Sequence, residues 1–207
     1  MSDRKRVAVL ASGRGSNFEA LARAAIADDY PARIIVLISD NPDAPALQIA
    51  RDFEIEALHL PSGPKRTFLV PEIEQLWIDE LVKRKVDLIC LAGFMRLVKA
   101  GMLTAFSGRI LNIHPSLLPS FPGLEAQRQA LEHGVKVSGC TVHFVDESLD
   151  GGPIIIQRAV PVLDDDTAES LASRILAAEH EIYPQALKLW CEGRLRIEGR
   201  RVKNNNL

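Results

Sequence analysis

The chain has 207 residues, of which 47% are hydrophobic, 25% charged and 5% aromatic, and its net charge at pH 7 is −2. This composition is typical of a globular protein and excludes a general electrostatic attraction to nucleic acid or to anionic lipid. The three cysteines, Cys90, Cys140 and Cys191, are too far apart for a zinc site or a disulfide framework, so we expect reduced thiols, no metal and a cytoplasmic protein. The first apolar run is too short for a signal peptide, and no run has the length of a membrane span.

Apolar runs of strand length alternate with helical patterns along the first half of the chain. The predicted strands cover residues 6–12, 32–40, 54–60, 86–93 and 109–114. The predicted helices cover residues 17–29, 45–53 and 72–85, and the first has an apolar face that runs from Phe18 to Ile26. Strands that are apolar throughout are expected where helices cover both faces of a parallel sheet. We therefore predict an α/β fold with a single doubly wound, mostly parallel, Rossmann-like sheet.

After Pro122 the pattern changes. A helix over residues 124–134 precedes two strands, residues 136–145 and 152–162, which we expect to extend the same sheet. A long helix from about Thr167 to Cys191 and a hairpin around Glu198 and Gly199 complete a C-terminal β extension. Because no repeat or long linker interrupts the chain, we predict one domain over residues 1–207.

The sequence "SGRGSN", residues 12–17, joins the first strand to the first helix and is called the glycine turn below. Gly13 and Gly15 allow a ligand to approach the backbone closely, and Ser16 or Asn17 is expected to cap the helix. Exposed N–H groups at a helix N-terminus favour an anion such as phosphate. The turn is not a dinucleotide fingerprint, because Phe18 stands at the third glycine position. The alternative is a tight turn selected for its geometry alone.

Two polar side chains interrupt the apolar fifth strand. Alternation places Asn112 and His114 on one face at its C-terminal end, where ligands bind in open parallel sheets. Pro115 and Pro119 then end the strand and are expected to fix the exit loop. The alternative is a core histidine bonded to nearby backbone.

A polar loop, residues 146–152, follows the strand that carries His143. Its acidic residues are expected to be solvated except Asp150, around which paired glycines let the chain fold tightly. If this loop reaches the fifth strand, Asp150 pairs with His114 and keeps the imidazole a cation near neutral pH. A metal held by His114, His143 and Asp150 is not favoured, because no H-x-H or H-x-x-x-H pair is present.

The apolar residues Phe94, Met95, Leu97 and Val98 follow the fourth strand where it should exit toward the ligand crevice. Residues 94–98, called the exit segment below, would suit a flat aromatic ligand held by backbone groups between apolar walls. The alternative is ordinary core beneath a loop.

Five motifs occur in an order that resembles one family. They are "SGRGSN", "LAGFMR", "LNIHPSLLPSFPG", "GCTVHFVDESLDGGPII" and "EHEIYP". From about residue 6 to residue 195 the chain resembles the phosphoribosylglycinamide formyltransferases, the folate-dependent glycinamide ribonucleotide transformylases of the folate formyltransferase family. The resemblance implies a nucleotide-binding half over about residues 1–100, a catalytic and folate-binding half over about residues 101–195, and a short C-terminal tail.

The resemblance also implies the reaction. A formyl group passes from the co-substrate 10-formyltetrahydrofolate to the amine of glycinamide ribonucleotide, giving formylglycinamide ribonucleotide and tetrahydrofolate in de novo purine biosynthesis. The expected partners are these small molecules, without nucleic acid, membrane or metal, and the expected assembly is a monomer or homodimer. Direct attack by the amine would need no covalent enzyme intermediate.

The family's functional residues carry over onto matching positions of this chain. The implied catalytic residues are Asn112, His114 and Asp150, called the catalytic trio below. The implied ribonucleotide-binding residues are Gly15, Ser16, Asn17 and Glu179. The implied folate-binding residues are Arg66, Met95, Arg96, Leu97, Val98 and Asn112. The chain departs from the family after "FPG", where Glu125 and Gln127 stand at positions at which many members carry histidines.

Two alternatives are related folate-dependent enzymes, and a third comes from a different class. The methionyl-tRNA formyltransferase would need an additional C-terminal domain, and the formyltetrahydrofolate hydrolase an N-terminal regulatory domain. We expect neither additional domain, because the first predicted strand begins by Arg6 and the predicted catalytic domain extends to about residue 195. A nucleotide-binding module without catalysis would give the catalytic trio no reason to assemble.

Overall fold

The structure, a computed structural model, describes residues 4–205. The chain divides into two compact units, Met1–Leu111 and Asn112–Leu207, and strand β5 (Ile110–His114) crosses the division. The prediction of one domain over residues 1–207 stays a prediction. Each unit is described by itself below.

The first unit alternates strands and helices as the sequence predicts. Its elements are β1 (Lys5–Leu10), α1 (Ser16–Ala25), β2 (Ala32–Ser39), α2 (Pro45–Asp52), β3 (Glu56–His59), α3 (Pro71–Lys83), β4 (Leu88–Leu91) and α4 (Ala100–Ala105). The strand order is β3-β2-β1-β4, and each neighbouring pair is parallel.

Local chemistry explains most of these boundaries. Val7 to Leu10 are fully buried in β1, as an apolar central strand requires. Pro45 and Pro71 begin α2 and α3, where a missing N–H costs nothing. The apolar face predicted for α1 extends too far, because the helix ends at Ala25 and Ile26 is 66% exposed. Helix α4 was not predicted, since six residues give too little periodicity to recognise.

The second unit contains the antiparallel extension that the sequence predicts. Its elements are α5 (Ala126–Glu132), β6 (Val137–Phe144), β7 (Ile154–Pro161), α6 (Ala168–Cys191), β8 (Leu195–Glu198) and β9 (Arg201–Asn204). Strands β6 and β7 are antiparallel, β9 is parallel to β7, and β8 and β9 form the predicted hairpin. Thr167 caps α6 by accepting the backbone N–H of Ser170 at 3.3 Å, and the helix runs through Pro184. The predicted α/β class, mostly parallel with a C-terminal β extension, is confirmed.

Candidate active site

The end of β5 presents the two polar side chains that the sequence singles out. Asn112 is partly buried, and His114 is buried with 5% of its surface exposed. Between them Ile113 points to the opposite face, because side chains alternate along a strand. His114 is therefore held at the end of a packed strand and is not a free surface histidine.

The loop that leaves β5 is fixed by side chains from β6 and β7 as well as by its prolines. The Thr141 hydroxyl donates to the Ser116 carbonyl at 2.7 Å and accepts the Leu118 N–H at 3.1 Å. The Gln157 amide donates to the Leu118 carbonyl at 2.8 Å. These bonds satisfy main-chain groups that would otherwise be buried without partners.

The loop between β6 and β7 places Asp150 by an unusual backbone path. Asp150 has a φ of 50°, which is uncommon for a residue with a side chain, although aspartate tolerates it better than most. A Cβ on Gly152 would overlap the carbonyl oxygen of Phe144, so that position requires glycine. The pairing of the strands also shifts register between Val142 and His143, a bulge that re-aims side chains at the end of β6.

The structure brings Asp150 to His114, as the sequence predicts for a loop that reaches β5. The distance from His114 Nδ1 to Asp150 Oδ2 is 3.4 Å, and the side chains are 6% and 12% exposed. The same carboxylate oxygen accepts the Gly123 N–H at 2.8 Å. On the other side of the ring, Nε2 lies 2.9 Å from the carbonyl oxygen of Phe121. Both ring nitrogens of His114 therefore face oxygen atoms that can accept a hydrogen bond.

Asn112 is oriented by a hydrogen bond with His143. The sequence analysis mentions His143 only as a possible metal ligand. His143 Nδ1 lies 2.8 Å from the Phe144 carbonyl and therefore carries the proton, which leaves Nε2 to accept from the Asn112 amide at 3.2 Å. Burial lowers the pKa of His143 below its usual value of 6.5, against the opposing effects of the Phe144 carbonyl and of Asp150. A neutral ring thus holds one Asn112 N–H and leaves the second amide hydrogen available.

The glycine turn enters α1 through a left-handed glycine and lacks the predicted side-chain cap. Gly15 occupies the N-cap position of α1 with a φ of 83°, and no side chain caps the helix. The prediction that Ser16 or Asn17 caps α1 is wrong, because the helix begins at Ser16. A Cβ on Gly15 would lie 2.7 Å from the Cβ of Ala46, so close packing against α2 also requires glycine there.

The exit segment is held against two other loops of the first unit. Arg96 Nε lies 2.6 Å from Asp40 Oδ2, at side-chain exposures of 12% and 7%, and the guanidinium also donates to the Lys65 carbonyl. Leu97 donates its N–H to the Thr67 carbonyl at 2.8 Å. The Arg96 side chain is thus engaged within the protein, while Met95 and Leu97 are 57% and 43% exposed.

Comparison of the sequence and the structure with known proteins identifies the family. Residues 5–187 match the model of the formyl transferase family. A phosphoribosylglycinamide formyltransferase of Bacillus subtilis is 45% identical over 187 residues, which is 89% of this chain and 93% of the relative. The crystal structure of glycinamide ribonucleotide transformylase 1 from Symbiobacterium toebii superposes with a TM-score of 0.93 and 55% identity, covering 97% of this chain and 94% of that one. The chain belongs to the phosphoribosylglycinamide formyltransferase family.

A longer relative matches as well. The trifunctional purine biosynthetic protein adenosine-3 of Drosophila melanogaster is 48% identical over 193 residues. Those residues are 92% of this formyltransferase but 14% of the Drosophila protein. The match therefore concerns one part of that protein.

Two carried-over residues of this formyltransferase lie in different surroundings. Arg66 is exposed, in the loop before α3, whereas Glu179 is buried on α6 with 6% of its surface exposed. Burial and then the Glu179 carboxylate raise the pKa of the Cys140 thiol to about 12. Cys140 is consequently a thiol and not a thiolate nucleophile at neutral pH.

Two further observations concern residues 4–205 of the formyltransferase. Within that range, no group of three or more His, Cys, Asp or Glu side chains is arranged to hold a metal ion. Over the same residues, no helix has the length and apolar character needed to cross a membrane. The roles assigned to the carried-over residues, and the expected absence of metal, stay predictions.

Proposed function

We propose that this formyltransferase transfers the formyl group of 10-formyltetrahydrofolate to glycinamide ribonucleotide by direct attack of the amine, using the catalytic trio. The observation that carries the proposal is the buried constellation itself. An amide with one N–H held by His143 and an imidazole facing Asp150 converge at the end of β5. The two Asp150 oxygens lie 3.4 Å from His114 and 3.9 Å from His143.

The amine attacks the formyl carbon, and negative charge develops on the formyl oxygen. Donors placed in advance in a shielded site stabilise such charge most effectively. The proposed donors are the second Asn112 N–H and His114 Nε2–H. In the structure Nε2 lies 2.9 Å from the neutral Phe121 carbonyl, and an anionic oxygen is a stronger acceptor that would replace it.

Asp150 has two proposed tasks. Its carboxylate faces Nδ1 of His114 and so would orient the ring whose Nε2–H donates to the oxyanion. The attacking nitrogen also loses a proton as the new C–N bond forms, and the leaving folate nitrogen gains one as the old bond breaks. Asp150 would carry that proton, so the step needs no metal and no covalent enzyme intermediate.

The carried-over binding residues would hold the two substrates. Gly15, Ser16 and Asn17 would bind the ribonucleotide phosphate through main-chain N–H groups at the start of α1. The exit segment, residues 94–98, would bind folate between exposed apolar side chains and main-chain groups, and Arg66 would contact it from the neighbouring loop. Glu179 would contact the ribonucleotide. Holding the reactants in register supplies a large part of such accelerations.

The remaining proposals concern the surroundings of the enzyme. We expect it to act on these small molecules in the cytoplasm, as a monomer or homodimer, without nucleic acid or membrane. The net charge of −2 gives no general attraction to either polyanion.

An acceptor comparison tests the proposed function. The purified protein is supplied with 10-formyltetrahydrofolate and, in separate reactions, glycinamide ribonucleotide, formyl-acceptor tRNA or water alone. Rapid formylation of the ribonucleotide, with little turnover of the other two, is expected. If tetrahydrofolate is released as fast with water alone as with glycinamide ribonucleotide, the protein is a hydrolase. Formylation of tRNA would identify the methionyl-tRNA class.

A further inference from the structure

Ser12, the first residue of the glycine turn, is bonded twice to the chain that follows β4. Its main-chain N–H donates to the Gly93 carbonyl at 3.0 Å. Its hydroxyl accepts the N–H of Met95, in the exit segment, at 3.0 Å. One residue therefore joins the turn proposed for the ribonucleotide phosphate to the segment proposed for folate.

The other side of the turn is held just as closely. The Ser12 carbonyl accepts from the Asn41 amide at 3.4 Å, and the Gly13 carbonyl accepts the Ala46 N–H at 3.2 Å. Gly15 packs directly on Ala46, with no room for a Cβ. The turn thus has little freedom to move without moving Ser12, and Ser12 cannot move without loosening Met95.

The bond from Met95 is made by the side chain of Ser12 itself, whereas the other two bonds of Ser12 use its main-chain groups. Met95 is 57% exposed, and the hydrogen bond lies at the surface. A hydroxyl can rotate away and leave the N–H to water at little cost. How firmly the Met95 end of the exit segment is held therefore depends on how well the Ser12 side chain is ordered.

We propose that Ser12 is a positioning residue that couples the two substrates, so that each binds more tightly when the other is present. Phosphate on the glycine turn orders the Ser12 hydroxyl, which then holds Met95 and the exit segment ready for folate. A first ligand that orders a shared element reduces the ordering cost for the second. The inference rests on the proposed assignment of the turn and the segment. A single neutral hydrogen bond can carry a coupling of several-fold, up to about tenfold.

The test measures affinity in both directions. Tetrahydrofolate, which has no formyl group to transfer, and glycinamide ribonucleotide are each titrated by calorimetry with and without the other. The wild-type protein is expected to show the same several-fold tightening both ways, because coupling is reciprocal. Ser12→Ala, and Ser12→Cys of similar size but weaker acceptor strength, should reduce that factor to about one. Ser12→Thr, which keeps the hydroxyl, should restore it.

Each other outcome has a definite meaning. A wild-type factor of one, or an unchanged factor in both Ser12→Ala and Ser12→Cys, overturns the coupling while leaving the two binding assignments in place. Equal weakening of both ligands with coupling retained would show that Ser12 supports the fold only, and also overturns it. If Gly15→Ala leaves ribonucleotide affinity unchanged, the assignment of the turn is wrong, which is a failure of the proposed function.

Discussion

The glycine turn of the first unit and the catalytic trio of the second unit depend on different chemistry. At the turn the backbone matters, because Gly15 has a φ of 83° and packs on Ala46. At the trio the side-chain atoms matter, since His114 and Asp150 are 6% and 12% exposed and each is bonded to main chain. A methyl group added at Gly15 should therefore damage the turn, whereas one atom changed at constant shape should damage the trio.

The largest effect is expected from a change of charge at constant shape in the trio. Asp150→Asn keeps an acceptor for the Gly123 N–H but removes the carboxylate that faces His114. We expect kcat to fall by about a hundredfold or more, as when an oxyanion donor is lost, with both KM values nearly unchanged. His114→Ala should show the same pattern. Steady-state kinetics with both substrates measures it.

Asp146→Asn is the matched control for that prediction. Asp146 lies in the same loop, is exposed, and accepts the Ser148 N–H at 2.9 Å. Its substitution should leave kcat within about twofold, as is usual for surface changes. Near-wild-type turnover in Asp150→Asn would contradict the role proposed for the carboxylate.

Substitution in the glycine turn should raise a KM and leave kcat nearly unchanged, which is the opposite of the effect expected in the trio. Gly15→Ala forces a side chain into a φ of 83° and places its Cβ 2.7 Å from that of Ala46. Overpacking of this kind costs about 1–3 kcal/mol, so we expect the ribonucleotide KM to rise by about tenfold or more. The folate KM should rise less, and kcat should change least.

Gly13→Ala is the control for Gly15→Ala, because it also replaces a glycine of the turn but at a position with free space. A Cβ on Gly13 would meet nothing within 4 Å. That variant should have kinetics close to wild type, measured in parallel with Gly15→Ala. Equal effects of the two substitutions would show that close packing at Gly15 does not position the phosphate site.

A smaller effect on kinetics is expected from the ion pair of Asp40 with Arg96, which supports the exit segment. Asp40→Asn weakens the contact with Arg96 and so loosens the hold of the exit segment on the Lys65 loop. We expect the folate KM to rise several-fold, with kcat and the ribonucleotide KM nearly unchanged. Asp43→Asn, at an exposed position of the same loop, is the control. An unchanged folate KM in Asp40→Asn would show that Arg96 does not position this segment.

The local hydrophobic pattern predicted most of the fold, because most helices and strands can be recognised from a few consecutive residues. The apolar run of β1 and the prolines that begin α2 and α3 are examples. The contact between His114 and Asp150 was predictable for a different reason: a strand end and a glycine-bounded loop each carried a polar residue without an obvious structural task. Helix α4 is too short to be recognised in this way.

Contacts between residues far apart in sequence were not predictable in the same way. The bond from Asn112 to His143, the ion pair of Asp40 with Arg96 and the bond from Met95 to Ser12 all join residues from different elements. Periodicity places a residue on a face but does not name its partner. The missing cap of α1 has a similar origin, because the packing of Gly15 on Ala46, and not the residue type at Ser16, sets where the helix begins.

The buried side chains of the second unit should also make stability depend on pH, which the glycine turn cannot do. Burial lowers the pKa of His143 below the usual value of 6.5, so the folded chain keeps this ring neutral where the unfolded chain takes up a proton. The stabilisation is complete above the pKa of His143 in the unfolded chain and is lost as the pH falls toward its pKa in the folded chain.

Between about pH 8 and about pH 5, the free energy of unfolding from urea titrations should therefore decrease less in His143→Gln than in the wild type. Gly15→Ala, which changes no titratable group, should keep the wild-type slope. If His143→Gln keeps it too, the ring is not held neutral by its surroundings, and the orientation proposed for the Asn112 amide loses its basis.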